Sequence, residues 1–159
     1  MNPGTGSPIA LKIIANVRGG RIEPVDDGWD GVIARIELDP DQFTPGATEG
    51  LAAFLHVEVV FLFDRVAEGE IETNARHPRG REDWPRVGIF AQRGKARPNR
   101  IGVTACALEG VDGLTLHVRG LDAIDGTPVL DIKPVMKGFL PRGEIREPQW
   151  AGEIMRNYW

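Results

Sequence analysis

The sequence contains one cysteine, Cys106, among its 159 residues. An intramolecular disulfide and a cysteine-based zinc site both need at least two thiols, so the chain forms neither, as is typical of proteins from a reducing compartment. The three histidines, His56, His77 and His117, are too far apart in the sequence to place two imidazoles on one helix face or strand end. We therefore expect no metal ion.

The sequence also lacks the apolar run of about 18 residues that a membrane-spanning helix requires, and it has no charged and then apolar secretory start. We therefore expect a soluble, cytoplasmic protein with no membrane partner. The Gly-x-Ser-x-Gly nucleophile elbow, the phosphate-loop Gly-Lys-Ser/Thr and the Gly-x-Gly-x-x-Gly dinucleotide fingerprint are all missing. A nucleotide-like cofactor would have to be held by something other than a doubly wound sheet.

Alternation of apolar and polar residues predicts β-strands along most of the chain. Residues 32–38 read VIARIEL and residues 55–63 read LHVEVVFLF, each with an apolar face of period two. Gly or Pro occurs in every gap between the predicted strands. The short strands and frequent turns favour an all-β barrel or sandwich. Further strands are predicted for residues 11–17, 87–91, 101–108, 114–121 and 129–132.

The length fits one domain with a hydrophobic core. We expect residues 1–10 to be a disordered lead, residues 11–145 to form the β-domain and residues 146–159 to contain a short amphipathic helix. That helix is predicted because Trp150, Ile154 and Tyr158 recur every four residues. Its ordinary role would be to cap a barrel end or to pack on a partner subunit. One or two helical turns are also predicted for residues 48–54.

Residues 76–100 form a strongly basic segment with eight Arg or Lys and two acids, which gives +6 in a chain whose overall charge is −4. Such an asymmetry directs a polyanion or a phosphate-bearing ligand to one place. From charge alone, a solvated loop whose arginines cover acidic neighbours explains the segment equally well. Within the segment, Pro98 fixes its own φ and Asn99 tolerates unusual dihedral angles, so a rigid turn can aim the neighbouring arginines.

Residues 122–134 read DAIDGTPVLDIKP. Asp-Gly before Thr-Pro is a turn sequence, and a hairpin connection between two strands is the simplest interpretation. Three carboxylates in ten residues, Asp122, Asp125 and Asp131, are more than a turn requires. These carboxylates, or the carbonyl groups of the turn, could hold a ribose or an amino group.

Three stretches of the chain resemble the TsaA/TrmO family: GIFAQR at residues 88–93, RPNRIGVT at 97–104 and DGTPVLDIKP at 125–134. GLAAFLHV at residues 50–57 is more weakly similar. The resemblance implies a mainly β, single-domain antiparallel β-barrel with short helical elements. It also implies binding of S-adenosyl-L-methionine, a homodimer, and methylation of N6 of threonylcarbamoyladenosine 37 in a tRNA. A cofactor bound on a barrel fits the missing dinucleotide fingerprint.

Carried over by position, the resemblance makes Arg93 a cofactor contact, Val103 an apolar neighbour of the adenine, and residues 125–128 a turn that closes over the cofactor. The chain departs from the family at residues 19–29, where the Pro-x-Gln cofactor loop has no clean counterpart, and at residues 92–95, which read QRGK. The C-terminal domain of longer bacterial members has no counterpart either. The predicted cofactor contacts are Asp64, Arg65, Arg93, Val103, Asp125, Gly126, Thr127 and Pro128.

Five other arginines of the basic segment are assigned to RNA. No catalytic residue is assigned, and Asp64, Asp125 and Asp131 are all candidates for removing a proton from the attacking nitrogen. Two other functions stay open: a non-catalytic RNA-binding barrel, and an S-adenosylmethionine-binding enzyme or sensor for a small molecule. The predicted RNA contacts are Arg76, Arg79, Arg81, Arg97 and Arg100.

Overall fold

A computed structural model of the protein describes residues 4–159. It contains eight strands and one α-helix, α1 (Gln149–Met155), together with several short 3-10 turns. The strands are β1 (Ala15–Arg18), β2 (Ile33–Leu38), β3 (His56–Leu62), β4 (Ala75–Arg76), β5 (Val87–Gly88), β6 (Ile101–Asp112), β7 (Thr115–Arg119) and β8 (Pro128–Pro134).

Six of the strands close into an antiparallel barrel in the order β1-β2-β7-β6-β3-β8, and β4 pairs with β5 outside it. The predicted alternation explains the core, because Val57, Val59 and Phe61 of β3 point inward and are at most 1% exposed. The prediction of a mainly β, antiparallel barrel is therefore confirmed. Cys106 of β6 belongs to the same core, and burial raises the pKa of its thiol to about 12, with a further contribution from Asp122.

Two connections cross the barrel and close its ends. Residues 39–55 lead from β2 to β3, and residues 120–127 lead from β7 to β8 at the other end. In both cases the joined strands lie three places apart in the closed ring, so each connection passes over the core. Leu121 and Ala123 of the second crossing are buried in that core.

The first predicted strand, residues 11–17, begins later than expected. The Ile14 amide is the first to bond to β8, through the Val129 carbonyl, and strand β1 starts at Ala15. Before β1, the Ile13 carbonyl accepts a hydrogen bond from the side chain of Gln42 and not from a neighbouring strand. The alternation of apolar and polar residues predicts a strand, but it does not show where the neighbouring strand that pairs with it ends.

The predicted strand at residues 87–91 is mostly a turn. Only Val87–Gly88 pair with β4, and Ile89–Ala91 form a 3-10 turn. The buried Gln92 side chain explains the early stop, because its amide donates to the carbonyls of Arg76 and Val87 and ties the two short strands together. Where one or two helical turns are predicted, at residues 48–54, the structure has a 3-10 turn at Leu51–Ala53, and a second, Pro45–Thr48, ends at Thr48.

The C-terminal helix α1 is shorter than its aromatic pattern predicts. It ends at Met155, and Tyr158 lies beyond it. The predicted lead at residues 1–10 falls partly outside the described residues, and residues 4–10 contain no helix or strand. The division into a lead, a β-domain and a terminal helix stays a prediction. No helix within residues 4–159 is long and apolar enough to cross a membrane.

Candidate functional site

Three connections leave the barrel at the same end: residues 19–32, 63–100 and 120–127. They follow β1, β3 and β7, which run in the same direction because they alternate with the other strands of an antiparallel ring. We call this end of the barrel the loop end. All eight predicted cofactor contacts lie in these connections or on the strand residues next to them.

The turn at Asp125 is fixed against the start of the 19–32 connection. Asp125 Oδ1 accepts a hydrogen bond of 2.8 Å from the Gly19 amide, and the Asp125 amide donates to the Arg21 carbonyl at 2.7 Å. Gly126 has φ of +85°, a left-handed conformation that favours glycine, and its amide donates to the Val17 carbonyl at 2.7 Å. The turn is therefore a rigid, preformed feature of the loop end.

Thr127 and Pro128 complete this turn but are both buried. The Thr127 hydroxyl donates to the Ile124 carbonyl at 2.7 Å, and its backbone carbonyl accepts from the Val17 amide. The two residues shape the turn, while Asp125 and Gly126 face its more open side.

Asp64 and Arg65 lie in an exposed turn directly after β3. The Arg65 guanidinium reaches the Ile22 carbonyl at 3.5 Å, which links this turn to the 19–32 connection. That connection therefore touches both the Asp64 turn and the Asp125 turn.

Arg93 lies against the barrel wall beside the same end. Its Nη2 donates to the Val103 carbonyl in β6 at 2.7 Å, so the predicted cofactor arginine and the predicted adenine neighbour are in direct contact. The Arg93 side chain is otherwise exposed.

A cluster around Asp122 was not assigned from the sequence. Asp122 Oδ1 accepts a hydrogen bond from the Thr104 hydroxyl, and Oδ2 accepts one from the Tyr158 hydroxyl. Burial raises the pKa of Tyr158 and the Asp122 carboxylate raises it further, while Arg93 and Arg79 partly oppose this rise. Tyr158 thus remains a neutral donor, and the guanidinium groups of both arginines lie close enough to influence it.

The last residues of the chain reach this cluster by way of backbone hydrogen bonds. The Gly28 amide donates to the Asn157 carbonyl at 2.9 Å, and the Trp29 amide donates to the Tyr158 carbonyl at 2.8 Å. These contacts could not be found from sequence patterns, because they join positions more than a hundred residues apart. The four-residue spacing of Trp150, Ile154 and Tyr158 indicated only that a helix packs there.

Two of the five predicted RNA arginines are paired with acids. Arg79 makes a two-pronged ion pair with Asp27, at 2.9 and 3.3 Å, and Arg81 pairs with Asp83. Asp27 belongs to the 19–32 connection, so the Arg79 pair ties the basic segment to that connection. These two arginines match the charge-covering interpretation of the segment.

Arg97 and Arg100 are half-buried and serve the fold of their own loop. Arg97 Nη1 donates to the Gln92 carbonyl, and Arg100 Nη1 donates to the Val66 carbonyl, both at 2.6 Å. Asn99 and Arg100 have positive φ, of 63° and 52°, as expected for the turn that Pro98 begins. The two guanidinium groups keep their charge but not their freedom to turn towards a ligand.

Arg76 is also half-buried, and it packs against Gly94. A Cβ atom at Gly94 would lie 2.7 Å from Arg76 Nη2, so the glycine leaves room for this side chain. Arg76 Nε is buried and has no hydrogen-bond partner within residues 4–159. Because this atom is buried, a ligand at the surface does not reach it.

The three candidate carboxylates for proton removal do not lie together. Asp131 lines a groove of about 440 Å³ that also includes Thr48 and Leu51 of the 39–55 connection, at the end of the barrel opposite the loop end. Asp131 Oδ2 accepts a hydrogen bond of 2.5 Å from Lys133 Nζ. Asp64 and Asp125 remain at the loop end. Within residues 4–159 no group of three or more His, Cys, Asp or Glu side chains is arranged to hold a metal ion.

These observations define the class of protein as a closed antiparallel β-barrel domain with three of its connections at one end. A sequence profile described as the tRNA-methyltransferase O N-terminal domain matches residues 24–139. The chain belongs to this family, and the resemblance noted in its sequence is confirmed.

Named relatives agree with this assignment. The chain is 40% identical over 102 residues to the "tRNA (adenine(37)-N6)-methyltransferase" of Escherichia coli, a match that covers 62% of this chain and 41% of that protein. The human protein of the same name is 37% identical over 99 residues, or 62% of this chain and 22% of that protein. The matches thus span less than half the length of these two relatives.

A relative of similar size is the "Probable S-adenosyl-L-methionine-binding protein" of Methanothermobacter thermautotrophicus, which is 42% identical over 112 residues, covering 70% of this chain and 75% of that protein. Among solved structures, the crystal structure of TrmO from Pseudomonas aeruginosa superposes with a TM-score of 0.71 at 29% identity. The superposition covers 88% of this chain and 61% of that one. It agrees with the barrel described above.

Proposed function

We propose that this protein is an S-adenosylmethionine-dependent methyltransferase that acts on tRNA, with N6 of threonylcarbamoyladenosine 37 as the acceptor. The observation that carries the proposal is the convergence of the predicted cofactor contacts, from separate parts of the chain, at the loop end. The names of the E. coli and human relatives support adenine 37 of tRNA as the target. The name of the Methanothermobacter relative supports the cofactor.

The side chains at the loop end suit the chemical groups of this cofactor. Its carboxylate suits a guanidinium partner, which the exposed side chain of Arg93 offers. Its ribose hydroxyls and ammonium group suit a carboxylate partner, which Asp125 offers. Its adenine calls for an apolar surface, offered by Val103. When bound, S-adenosylmethionine supplies an electrophilic methyl group.

The contribution of the protein is to align the acceptor nitrogen with that methyl group, to exclude water, and to accept the proton that the nitrogen loses. Asp125 Oδ1 already accepts from the Gly19 amide, and Asp131 lies at the opposite end of the barrel. The Asp64 carboxylate is exposed and has no hydrogen-bond or ion-pair partner within residues 4–159. Asp64 is therefore our candidate for the proton acceptor.

Replacing this carboxylate by an amide, Asp64→Asn, removes the base while keeping the size of the side chain. We expect kcat to fall by about 10²-fold or more, the ordinary contribution of a general base, with a much smaller change in cofactor Kd. Single-turnover methyl transfer and calorimetry measure the two quantities. Asp112→Asn, at the hairpin between β6 and β7, is the matched control and should change neither. A variant that loses cofactor binding but keeps kcat would assign Asp64 to the cofactor instead.

Two experiments test the function as a whole. Calorimetry with S-adenosylmethionine should give binding, and no heat at millimolar cofactor would reject the methyltransferase. Labelled cofactor should then transfer its methyl group to total tRNA that carries the threonylcarbamoyl modification, and not to tRNA that lacks it. Labelling independent of that modification would reject the proposed acceptor.

A small-molecule methyltransferase is the second candidate, and the engaged arginines favour it. Arg79 and Arg81 are paired with acids, and Arg97 and Arg100 are bonded to backbone carbonyls, so fewer guanidinium groups are available to grip RNA. Label that appears in low-molecular-weight products of a cell extract, but not in tRNA, would select this candidate.

A homodimer and a cytoplasmic location remain predictions. Self-association is supported by large apolar side chains that are mostly exposed in the single chain, among them Phe90 and Phe139. Sedimentation of the purified protein would distinguish a dimer from a monomer.

A further inference from the structure

The C-terminal tail, which we define as residues 149–159, lies outside the region matched by the family profile, residues 24–139. It nevertheless contacts each of the three connections at the loop end. Glu153 accepts a hydrogen bond of 2.7 Å from the indole of Trp84, in the 63–100 connection. The carbonyls of residues 157 and 158 accept from the 19–32 connection, and the Tyr158 hydroxyl donates to the 120–127 crossing.

Asp122 is the point at which the barrel wall, the crossing and the tail meet. One of its oxygens accepts from Thr104, the β6 residue after Val103, and the other accepts from Tyr158. Asp122 is only three residues before Asp125 in the same crossing. The position of the Asp125 turn relative to Arg93 and Val103 thus depends on the two hydroxyl groups that hold Asp122.

The contacts of the tail are polar and specific, unlike those of a helix that only covers an apolar surface. Trp29 and Trp84, which the tail contacts, are 4% and 5% exposed, whereas Met155 and Trp159 of the tail itself remain 39% and 50% exposed. The Tyr158 side chain is half-buried, and its hydroxyl donates to Asp122. Asp122 stands in the same crossing as the predicted cofactor contact Asp125.

We propose that the C-terminal tail completes the cofactor site, with Tyr158 as the positioning residue that fixes Asp122 and, through it, the Asp125 turn. This inference rests on the proposed function, because it presumes that S-adenosylmethionine is the ligand at the loop end. Tyr158 touches neither cofactor nor acceptor in this role. It acts by holding a carboxylate that would otherwise have an unfilled hydrogen-bonding position in a partly buried place.

The test compares Tyr158→Phe, which removes only the hydroxyl, with Asn157→Ala, which changes an exposed neighbour and keeps its backbone carbonyl. We expect Tyr158→Phe to raise the Kd for S-adenosylmethionine about tenfold, the ordinary effect of losing one hydrogen bond to a charged group. Asn157→Ala should leave Kd unchanged. Both are measured by calorimetry well below the unfolding temperature, so that a loss of stability alone does not alter Kd.

A double-mutant cycle separates positioning from general destabilisation. If Tyr158 acts through Asp122, Tyr158→Phe should have little further effect on Kd in a protein that already carries Asp122→Ala. Independent, additive effects would overturn the role of Asp122 as the intermediary.

Coupling between the tail and the cofactor is also reciprocal. Saturating S-adenosylmethionine should slow the hydrogen exchange of the Gly28 and Trp29 amides, which donate to the tail, and this protection should be lost in Tyr158→Phe. Wild-type protein that binds no cofactor would overturn the proposed function together with this inference. Wild-type protein that binds cofactor, with the same Kd in Tyr158→Phe, would overturn this inference alone.

Discussion

Gly102 is the residue of β6 at which the barrel wall comes closest to the aromatic rings of β3 and the turn after it. A Cβ atom there would lie 2.6 Å from two ring atoms of Phe61 and 2.9 Å from Phe63. These contacts are with ring carbons of packed side chains, so the rings would have to move. Because Phe63 directly precedes Asp64 and Arg65, the displacement would reach the candidate site.

We therefore expect Gly102→Ala to lower the free energy of unfolding by about 1–3 kcal/mol, as overpacking usually does. Gly110→Ala is the matched control, because Gly110 lies in the same strand and its added Cβ would meet no atom within 4 Å. Chemical denaturation of both variants makes the comparison. Equal stability of the two would mean that the Phe61 and Phe63 rings move aside at no cost.

Helix α1 is held to the 63–100 connection by the hydrogen bond from the Trp84 indole to Glu153. This bond, and a second from Gln149, hold the pKa of Glu153 below its ordinary value of 4.5. A depressed carboxyl pKa stabilises the docked helix above the ordinary pKa, and that stability is lost as the pH falls through the lowered pKa.

We expect the helix to loosen in acid while the barrel remains folded. Hydrogen exchange of the α1 amides should accelerate as the pH falls below about 4.5, relative to the amides of β3, after correction for intrinsic rates. In Glu153→Gln the relative exchange should be fast at every pH, because the charge-assisted bond is already lost. Glu147→Gln, at an exposed acid before the helix, should behave as wild type. A pH dependence that persists in Glu153→Gln would assign the effect to another group.

Strand content could be read from the sequence because half-buried strands repeat every two residues, as in β2 and β3. The limits of strands could not, because they depend on partners that are distant in the chain. β6 continues to Asp112, beyond the predicted residue 108, because it pairs first with β3 and then with β7. Conversely, the predicted strand at residues 87–91 ends at Gly88, which lies opposite Ala75, the first residue of its partner β4.

The candidate site could be predicted in its local motifs and not in its long-range contacts. Asp125 and Gly126 stand in a turn sequence whose conformation is set by their own neighbours. The hydrogen bond between Asp122 and Tyr158 joins residues 36 positions apart, and their spacing in the sequence does not predict it. The arginines show the same limit. Their charge is known from the sequence, but the hydrogen bond of Arg97 to a carbonyl of its own loop is not.

Across the whole molecule, positive charge is concentrated in residues 76–100, at +6, within a chain of −4. Bonding to carbonyls leaves the charge of Arg97 and Arg100 intact, whereas pairing with Asp27 and Asp83 offsets that of Arg79 and Arg81. Residues 76–100 therefore keep a net positive charge, but acids of the neighbouring connections, such as Asp27, offset part of it. A local positive charge of this kind attracts a polyanion over a distance of about one Debye length, and salt weakens that attraction.

If tRNA approaches this surface, the contribution of each cation should depend on whether an acid already accompanies it. Lys95 is exposed and has no ion-pair partner within residues 4–159, whereas Arg81 is paired with Asp83. Lys95→Gln should therefore weaken tRNA binding and reduce the slope of log K against log salt by about 0.7–0.9, the value for one phosphate contact. Arg81→Gln should change both quantities less, and filter binding at several salt concentrations measures them. Equal effects of the two variants would show that only net charge matters, and no effect of either would place the RNA on another surface.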